Sequence, residues 1–248
     1  MKILAIESSG LVAGVAVLTE DTCIAEYTVH YKKTHSQTLL PMLDEISRMV
    51  ELDLKEIDAI AVCAGPGSFT GLRIGSATAK GLGQALGKPL IGVPTLEGLA
   101  YNLYGAAGLV CPLMDARRNQ TYTGLYRFVK EKERYRLCEV VPQCAVPLEE
   151  IIEKVNAEEK EVVFLGDGVP VFQQQLRKLL RVPYSFAPAS CNRQRAASIG
   201  SLAFVYAEEG RFCDPKEHRP EYLRLSQAER ERNQRLAREA LEREGEGV

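Results

Sequence analysis

Residues 58–75 read DAIAVCAGPGSFTGLRIG, and this stretch carries the clearest fold signal in the chain. Its first part, Asp58 to Ala64, is apolar throughout after Asp58, which is typical of a parallel strand buried on both faces. The glycine-rich turn from Gly65 to Gly71 leads into a predicted helix that extends to about Leu86. A buried strand that enters a helix through a tight turn is the repeating unit of α/β proteins.

The glycine-rich turn itself allows two interpretations. Free amides at a helix N-terminus can hold an anion, and glycines let the backbone approach it closely. The turn is not a P-loop, because five residues separate Gly65 from Gly71 and no Lys-Ser or Lys-Thr follows. The turn also lacks the Gly-x-Gly-x-x-Gly spacing of dinucleotide-binding proteins. The other interpretation is a tight strand-to-helix turn capped by Ser68 or Thr70.

The first half of the chain begins with three β-rich runs, which lie at Lys2–Ile6, Leu11–Leu18 and Cys23–Tyr31. A helix is predicted over Ser36–Val50, with Pro41 in its first turns. After the glycine-rich turn and its helix, Pro89–Val93 is a further strand and Thr95 begins a further helix.

The second half repeats this order of elements with less regularity. Its three predicted strands are Leu109–Met114, Thr121–Phe128 and Tyr135–Val141, followed by a helix from near Pro147, the strand Val162–Leu165 and the helices Val169–Leu180 and Arg195–Glu209. The repeat predicts an α/β protein of two similar lobes, residues 1–104 and 105–225. Residues 226–248 are rich in Glu and Arg, and they are predicted to form a helical or disordered tail.

Composition narrows the class of protein. Of 248 residues, 46% are hydrophobic and 26% are charged, which is typical of a globular chain. The net charge of −2 argues against a surface that binds nucleic acid as a whole, although it allows a local basic patch. Seven scattered cysteines without a Cys-x-x-Cys pair indicate reduced thiols. No signal peptide or apolar run of about 20 residues is visible, so a cytoplasmic protein without a membrane span is expected.

The helix after the glycine-rich turn carries Gly71, Gly75 and Ala79 four residues apart on one face. An internal glycine costs about 1 kcal/mol relative to alanine, so some of these glycines should permit a close approach. The close neighbour is either part of the same lobe or a helix of another chain. Together with the apolar helix Ser36–Val50, expected to be exposed, this face predicts a two-helix docking surface. Its candidate residues are Leu39, Leu40, Leu43, Ile46, Gly71, Ile74, Gly75, Thr78 and Ala79.

Two kinds of catalytic site receive little support. A helix that binds a metal through two histidines needs them at positions i and i+4, but His35 is followed at that spacing by Leu39. No metal site is therefore predicted, and Ser36 is interpreted as a helix N-cap. The three scattered histidines build no Ser-His-Asp or Cys-His arrangement.

Two polar turns occupy equivalent places after the first strand of each half. They are Glu7-Ser8-Ser9-Gly10 and the segment 115–120, DARRNQ. In a two-lobed protein these turns would face each other across a cleft that could hold the phosphates and magnesium of a nucleotide, with Gly166-Asp167-Gly168 beside the base. The candidate cofactor residues are Glu7, Ser8, Ser9, Asp115, Gly166 and Gly168. The alternative is that all three segments are ordinary polar turns.

Six segments together resemble a known family. They are residues 3–9 (ILAIESS), 35–41 (HSQTLLP), 65–75 (GPGSFTGLRIG), 92–96 (GVPTL), 115–118 (DARR) and 220–224 (PEYLR). In this order they look like the TsaB family, also called YeaZ, and the resemblance covers about residues 1 to 225. The long glycine motif is the most specific of them.

The resemblance implies an actin-like fold of two ribonuclease-H-like lobes. It also implies a role in making threonylcarbamoyladenosine, the modified adenosine beside the anticodon of tRNAs that read codons starting with A. In that family TsaB is a noncatalytic partner of the transferase TsaD, and the ATPase TsaE joins them. TsaD carries a metal-binding His-x-x-x-His on the helix that corresponds to Ser36–Val50, where this chain has Leu39 in place of the second histidine.

Partners and cofactors follow from the same resemblance. It places the TsaD interface on the first two helices, and it implies a homodimer through this surface when the chain is alone. No cofactor is expected to be required by this chain, whereas ATP and magnesium are expected in the complex, which tRNA also joins. Arg117 and Arg118 are candidates for direct tRNA contact.

The chain departs from the family pattern at two places. Glu7 stands where Asp is usual, which changes magnesium geometry, and Asn119-Gln120 replace the commoner Gly-Glu. The competing interpretations are a stand-alone actin-like ATPase, a sialoglycoprotease-type peptidase, and a homodimer without a transferase partner.

Overall fold

The computed structural model describes residues 1–31 and 33–224, and the predicted tail 226–248 lies outside the described residues. Ten strands are described: β1 (Ile3–Glu7), β2 (Ala13–Leu18), β3 (Cys23–Val29), β4 (Ala59–Gly65), β5 (Leu90–Pro94), β6 (Leu109–Asp115), β7 (Gln120–Glu131), β8 (Arg134–Pro147), β9 (Val162–Leu165) and β10 (Tyr184–Phe186). The α-helices in this part of the chain are α1 (His35–Met49), α2 (Phe69–Leu86), α3 (Thr95–Ala100), α4 (Leu148–Ala157), α5 (Gly168–Leu179) and α6 (Ala196–Glu208).

The strands form two five-stranded mixed sheets with the same topology. The first has the order β3-β2-β1-β4-β5 and the second the order β10-β9-β6-β7-β8. In each, the first three strands of the half pair antiparallel, and the fourth and fifth add in parallel. This confirms the predicted α/β architecture of two ribonuclease-H-like lobes, which is the actin-like fold.

The central strands are buried on both faces because helices pack on each of the two faces of each sheet. All residues of β1 and β2 are buried, as expected for a strand pair in the middle of a layered α/β lobe. On one face of the first sheet, Leu39, Leu43 and Ile46 of α1 pack with Leu4 and Val15. The apolar stripe of α1 therefore belongs to the core of its own lobe.

The other face of each sheet is covered by a helix from the opposite half of the chain. Ile199 and Ala203 of α6 pack against Ile3 of the first sheet, whereas Leu96 of α3 packs against Val110 of the second. The two crossing helices also touch, since a Cβ on Gly98 would lie 2.4 Å from Ile199 Cδ1. The lobes are thus interlocked by α3 and α6, and the division at residue 104 stays a prediction.

Most local predictions are confirmed to within a few residues. The largest difference in length is at β8, which ends at Pro147 and not at the predicted Val141. The three-residue strand β10 was not predicted, because so short a run shows no alternation. Ser36 is not the N-cap of α1, since the helix begins at His35 and Thr34 occupies the capping position without a side-chain bond. Ser68 is confirmed as the N-cap of α2, where its hydroxyl accepts from the Gly71 N–H.

Residues 211–224, here called the return segment, lead from α6 back along the first lobe. Cys213 forms an antiparallel bridge with Leu90, and Lys80 Nζ donates to the carbonyl oxygens of Lys216 and His218. Farther along, the Glu221 N–H donates to Ala64 O at 2.6 Å. Through this bond the return segment reaches the glycine-rich turn, which begins at Gly65 and leads into α2. Among residues 1–31 and 33–224, no helix has the length and apolarity to cross a membrane.

Candidate functional site

A cleft of about 440 Å³ opens between the two lobes. It is bordered by Ser9, Gly10, Leu11, Gly67, Ser68, Met114, Asp115, Ala116, Arg117, Tyr122, Asp167 and Val171. The turn after β1 and the turn after β6 face each other across it, as the repeat of elements predicts. The glycine-rich turn, the two polar turns and Asp167 thus meet at one place.

The Glu7 carboxyl lies under the floor of this cleft and has no exposed surface. Its Oε1 accepts from the Ser9 N–H at 2.6 Å and from the Ser9 hydroxyl at 2.5 Å, while Oε2 has no partner among the described residues. Burial raises the pKa of Glu7 to about 7, although the bonds from Ser9 oppose this rise. Glu7 therefore holds the turn from beneath and does not face the cleft.

Ser8 is also buried, and α2 packs directly on it. Its hydroxyl donates to Gly71 O at 2.9 Å, and its N–H donates to Cys63 Sγ at 3.3 Å. A Cβ on Gly71 would lie 2.1 Å from Ser8 O, and one on Gly75 would lie 2.1 Å from Ser8 Oγ. The close neighbour of these glycines is therefore their own lobe.

On the opposite wall, Asp115 organises the turn between β6 and β7. One carboxylate oxygen accepts from the Arg117 N–H at 2.8 Å, and the other lies 3.3 Å from the Arg117 guanidinium. Arg117, Arg118 and Asn119 have φ values of 63°, 56° and 57°, an uncommon conformation for residues other than glycine. The turn projects both arginines outward at the rim of the cleft.

Gly166 and Gly168 do not line the cleft, because both pack against the backbone of Leu113. A Cβ on Gly166 would lie 2.1 Å from Leu113 O, and Gly166 has a φ of 110°, so a side chain is excluded there. Asp167 between them borders the cleft. Its Oδ1 is buried without a partner in the described part of the chain, and burial raises the pKa of this carboxyl.

These residues do not fit a magnesium–nucleotide complex. Glu7 and Ser8 are covered, and Ser9 O is already used by the Ser68 N–H at 2.6 Å. Asp115 and Asp167 place two carboxyl groups on the wall of the second lobe, and only Asp115 has an arginine partner, Arg117, among the described residues. An unpaired carboxylate opposes a phosphate chain unless a cation lies between them. Within residues 1–31 and 33–224, no three His, Cys, Asp or Glu side chains are grouped so that they could hold one. Of the six candidate cofactor residues, Ser9 and Asp115 border the cleft; nucleotide binding stays a prediction.

Sequence reasoning missed Gln194, whose side chain is 2% exposed and lies against the backbone of Gly10. A Cβ on Gly10 would be 2.8 Å from Gln194 Nε2, and neither amide atom has a partner among the described residues. The two residues are 184 positions apart, and no motif in the sequence links them.

His35 has a structural partner rather than a second ligand. It is the first residue of α1, and its Nε2 lies 3.0 Å from Gly10 O, which ties the helix to the cleft turn. Leu39, one helical turn later, is 2% exposed and belongs to the core. The position one turn after His35, which a histidine pair would need, is thus apolar and covered.

The predicted docking surface needs correction. The expectation that Leu39 and Leu43 are exposed is wrong, because the stripe they share packs on the first sheet. Six of the nine candidate residues are buried inside their own lobe, namely Leu39, Leu43, Ile46, Gly71, Gly75 and Ala79. Leu40 is 56% exposed, and Ile74 and Thr78 are half-buried at the surface of α2. A docking surface on these helices stays a prediction, and it rests on these three residues.

Two lobes of one topology that face each other across a cleft define an actin-like protein. The family model described as TsaD, tRNA N6-adenosine threonylcarbamoyltransferase, matches residues 22–232. The Bacillus subtilis protein named tRNA threonylcarbamoyladenosine biosynthesis protein TsaB is 35% identical over 229 residues, which are 92% of this chain and 96% of that protein. The chain belongs to the TsaB family, also called YeaZ.

Two further comparisons agree with this assignment. The Escherichia coli protein of the same name is 36% identical over 129 residues, which are 51% of this chain and 55% of that protein. The solved structure titled YeaZ from Pseudomonas aeruginosa superposes with a TM-score of 0.75 at 27% identity and covers 90% of this chain and 99% of that one.

Proposed function

We propose that this chain is a noncatalytic accessory subunit in the biosynthesis of threonylcarbamoyladenosine, beside the anticodon of tRNAs that read codons starting with A. It scaffolds and activates a TsaD-type transferase, helps to recruit a TsaE-type ATPase, and acts on tRNA through this complex in the cytoplasm. The names of the Bacillus subtilis and Escherichia coli relatives support the pathway. The subunit role rests on one structural observation, the exposed face of α1 and α2.

This face combines an apolar side chain with small residues. Leu40 is 56% exposed, and Ile74 and Thr78 lie at the neighbouring surface of α2. Gly81 lies in the middle of α2 along the chain and is exposed, and a Cβ there would meet nothing within 4 Å. A mid-helix glycine costs about 1 kcal/mol relative to alanine, and no contact with the residues that the structure describes explains its presence at position 81. A helix of a partner that approaches closely at this point would explain it.

The noncatalytic assignment is supported by the chemistry of the buried side chains. Leu39 occupies the position of the second histidine of the transferase motif, and His35 is engaged with Gly10 O. We propose that ATP and magnesium act in the complex and that this chain needs no cofactor of its own.

A peptidase is the alternative suggested by another solved Pseudomonas aeruginosa structure, whose title notes similarity to peptidase YEAZ. The geometry argues against it in this chain. The Ser9 hydroxyl donates to the Glu7 carboxyl, but Ser9 and Glu7 are both fully buried. His35, which could act as a base, points its Nε2 at a backbone carbonyl.

Copurification with a coexpressed TsaD-type transferase tests the proposal. Leu40→Asp should abolish copurification and reduce threonylcarbamoylation of tRNA to the level of the transferase alone, because a carboxylate would be buried in an apolar contact. Leu179→Asp is the matched control, since Leu179 is 39% exposed at the end of α5 in the other lobe and does not border the cleft. It should leave the complex intact.

Other results would favour a competing function. A transferase that is fully active without this chain would contradict the accessory role, and so would unchanged copurification of Leu40→Asp. ATP turnover by the isolated chain that is lost on Asp115→Ala would indicate a stand-alone ATPase. Analytical ultracentrifugation with and without the transferase distinguishes the proposed homodimer from the heteromeric complex.

A further inference from the structure

A continuous row of arginine and aromatic side chains runs from α2 to the rim of the cleft. The Arg73 guanidinium lies over the Phe69 ring, 4.0 Å from its centroid. The Phe69 ring in turn contacts the Tyr222 ring of the return segment, with centroids 4.7 Å apart. Tyr222 is 38% exposed, so part of this aromatic pair faces solvent.

The row continues into the second lobe through Arg224. Its guanidinium donates to the carbonyl oxygens of Ala116 and Arg117, in the turn between β6 and β7. The same turn presents Arg117 and Arg118 to solvent. We call Arg73, Arg117, Arg118 and Arg224, with Phe69 and Tyr222 between them, the arginine row.

The arginine row carries more positive than negative charge. Arg117 pairs with Asp115, but Arg73, Arg118 and Arg224 have no carboxylate within ion-pair distance among the described residues. Glu221, the acidic residue beside Tyr222, accepts from Gln143 Nε2 at 2.7 Å and keeps its negative charge. The four arginines therefore face two carboxylates, those of Asp115 and Glu221, and the positive charge is in excess. The row is therefore a local positive patch on a chain whose net charge is −2.

A second groove of the same chain also combines aromatic rings with arginines, but there the arginine charges are neutralised. It contains Tyr101 and Tyr104 together with Arg134 and Arg195. There Arg134 is bound by Glu208 and Arg195 by Glu26, so that neither guanidinium has a free charge. Aromatic groups with arginines occur in both places, but only the arginine row leaves its cations available to an anion.

We infer that the arginine row binds RNA. Guanidinium groups match phosphate oxygens in a planar, two-point geometry, and exposed aromatic rings stack on unpaired bases. A row of cations interrupted by aromatic rings fits a phosphate backbone that carries at least one splayed base. The loop of a stem–loop RNA has this chemistry. The identity of that RNA as tRNA rests on the proposed function, whereas the binding itself does not.

The probe is a fluorescently labelled, unmodified anticodon stem–loop RNA, with an RNA duplex of equal length as the comparison. Binding is measured by anisotropy at several salt concentrations, for the chain alone and in the transferase complex. The test variant is Arg73→Gln with Arg118→Asn, since asparagine tolerates the φ of 56° at position 118. Arg127→Gln is the control. Arg127 is exposed, and it pairs with Leu109 at the start of β6, whereas Asp115 is at the end of that strand. At a rise of about 3.3 Å per residue, Leu109 and its partner Arg127 lie about 20 Å from Asp115.

The double variant should bind the stem–loop about tenfold more weakly or worse. Its slope of log K against log salt should fall by about 1.4, because each phosphate contact on a single strand contributes about 0.7. Tyr222→Ala should weaken stem–loop binding and leave duplex binding unchanged, since a duplex offers no unpaired base to stack. Arg127→Gln should match the wild type in affinity and slope. Circular dichroism confirms that each variant is folded.

Three outcomes would overturn the inference. The first is that the wild type shows no salt-dependent RNA binding, either alone or in the complex. The second is that the double variant binds RNA as tightly as the wild type does. The third is that the double variant still binds RNA but no longer binds the transferase, which would make the row a protein interface. The proposed function fails separately. A chain that never joins the transferase but still binds RNA through the row would contradict the subunit role and leave the RNA site standing.

Discussion

Gly75 lies so close to Ser8 that a Cβ at position 75 would stand 2.1 Å from the Ser8 hydroxyl oxygen. The two residues are 67 positions apart in the chain, and they meet because β1 and β4 are neighbours in the first sheet. The turn after β1 and the helix after β4 therefore start side by side. Glycine at position 75 is what lets α2 pack on the floor of the cleft.

Gly75→Ala should lower the free energy of unfolding by about 1–3 kcal/mol, the usual cost of overpacking, and Gly75→Leu should not fold. Gly81→Ala on the same helix is the matched control, because its Cβ would enter open space. It should raise stability by about 1 kcal/mol through helix propensity. Urea denaturation measures both variants, and equal effects at the two positions would contradict the packing described here.

Glu7 should make the protein less stable as the pH rises from about 4.5 to about 7. Burial raises its folded-state pKa to about 7 from 4.5, so the folded state holds the proton more tightly than the unfolded state. The stabilisation is complete below pH 4.5 and is lost as the pH rises through 7. The shift corresponds to about 3 kcal/mol.

Glu7→Gln isolates this effect, because glutamine mimics the protonated acid. Unfolding free energies measured from pH 4 to pH 8 should be similar for the two proteins at pH 4, and the variant should be the more stable one at pH 8. Burial and Lys80 lower the pKa of His218 in the folded protein, so His218 makes the protein more stable as the pH rises from acid values. This trend is opposite to that of Glu7, and it is the same in wild type and variant. Parallel pH profiles for the two proteins would show that Glu7 does not titrate between pH 4 and 8.

Ser68→Ala should destabilise the protein by about 1 kcal/mol through the loss of the α2 cap. Ser36→Ala, near the start of α1, should change stability by less than about 0.5 kcal/mol, because Ser36 is exposed and does not cap the helix. Thermal or urea unfolding of the pair distinguishes a capping serine from a surface serine. A larger loss for Ser36→Ala would reverse the assignment.

Tyr206→Phe should weaken the contact between the two interlocking helices. The Tyr206 hydroxyl donates to Glu97 Oε2 at 2.5 Å, and this bond opposes the rise that burial causes in the Glu97 pKa. Its removal should cost about 1–3 kcal/mol, and more at pH 8 than at pH 4, since the ionised carboxylate loses its donor. A cost that does not vary with pH would show that Glu97 keeps one protonation state between pH 4 and pH 8.

The order of strands and helices was predictable from local patterns. Continuous apolar runs indicated β4 and β9, and the spacing of Leu39, Leu43 and Ile46 indicated the apolar stripe of α1. The equivalent positions of the turns after β1 and β6 also predicted that Ser9 and Asp115 would face one cleft. These features depend on residues that are close in sequence, so periodicity and turn chemistry suffice to find them.

What these patterns contact was decided by the tertiary structure. Periodicity shows that Leu39 and Leu43 share a face, but the same pattern suits a core and a partner surface, and here the sheet covers it. Gly75 against Ser8, Gln194 against Gly10, and the return segment against α2 join residues that are far apart in the chain. The sequence of this protein determined its elements and their order, because those depend on local periodicity. Only the packing of distant segments decided which glycines are buried, which helices interlock the lobes and which arginines share one surface.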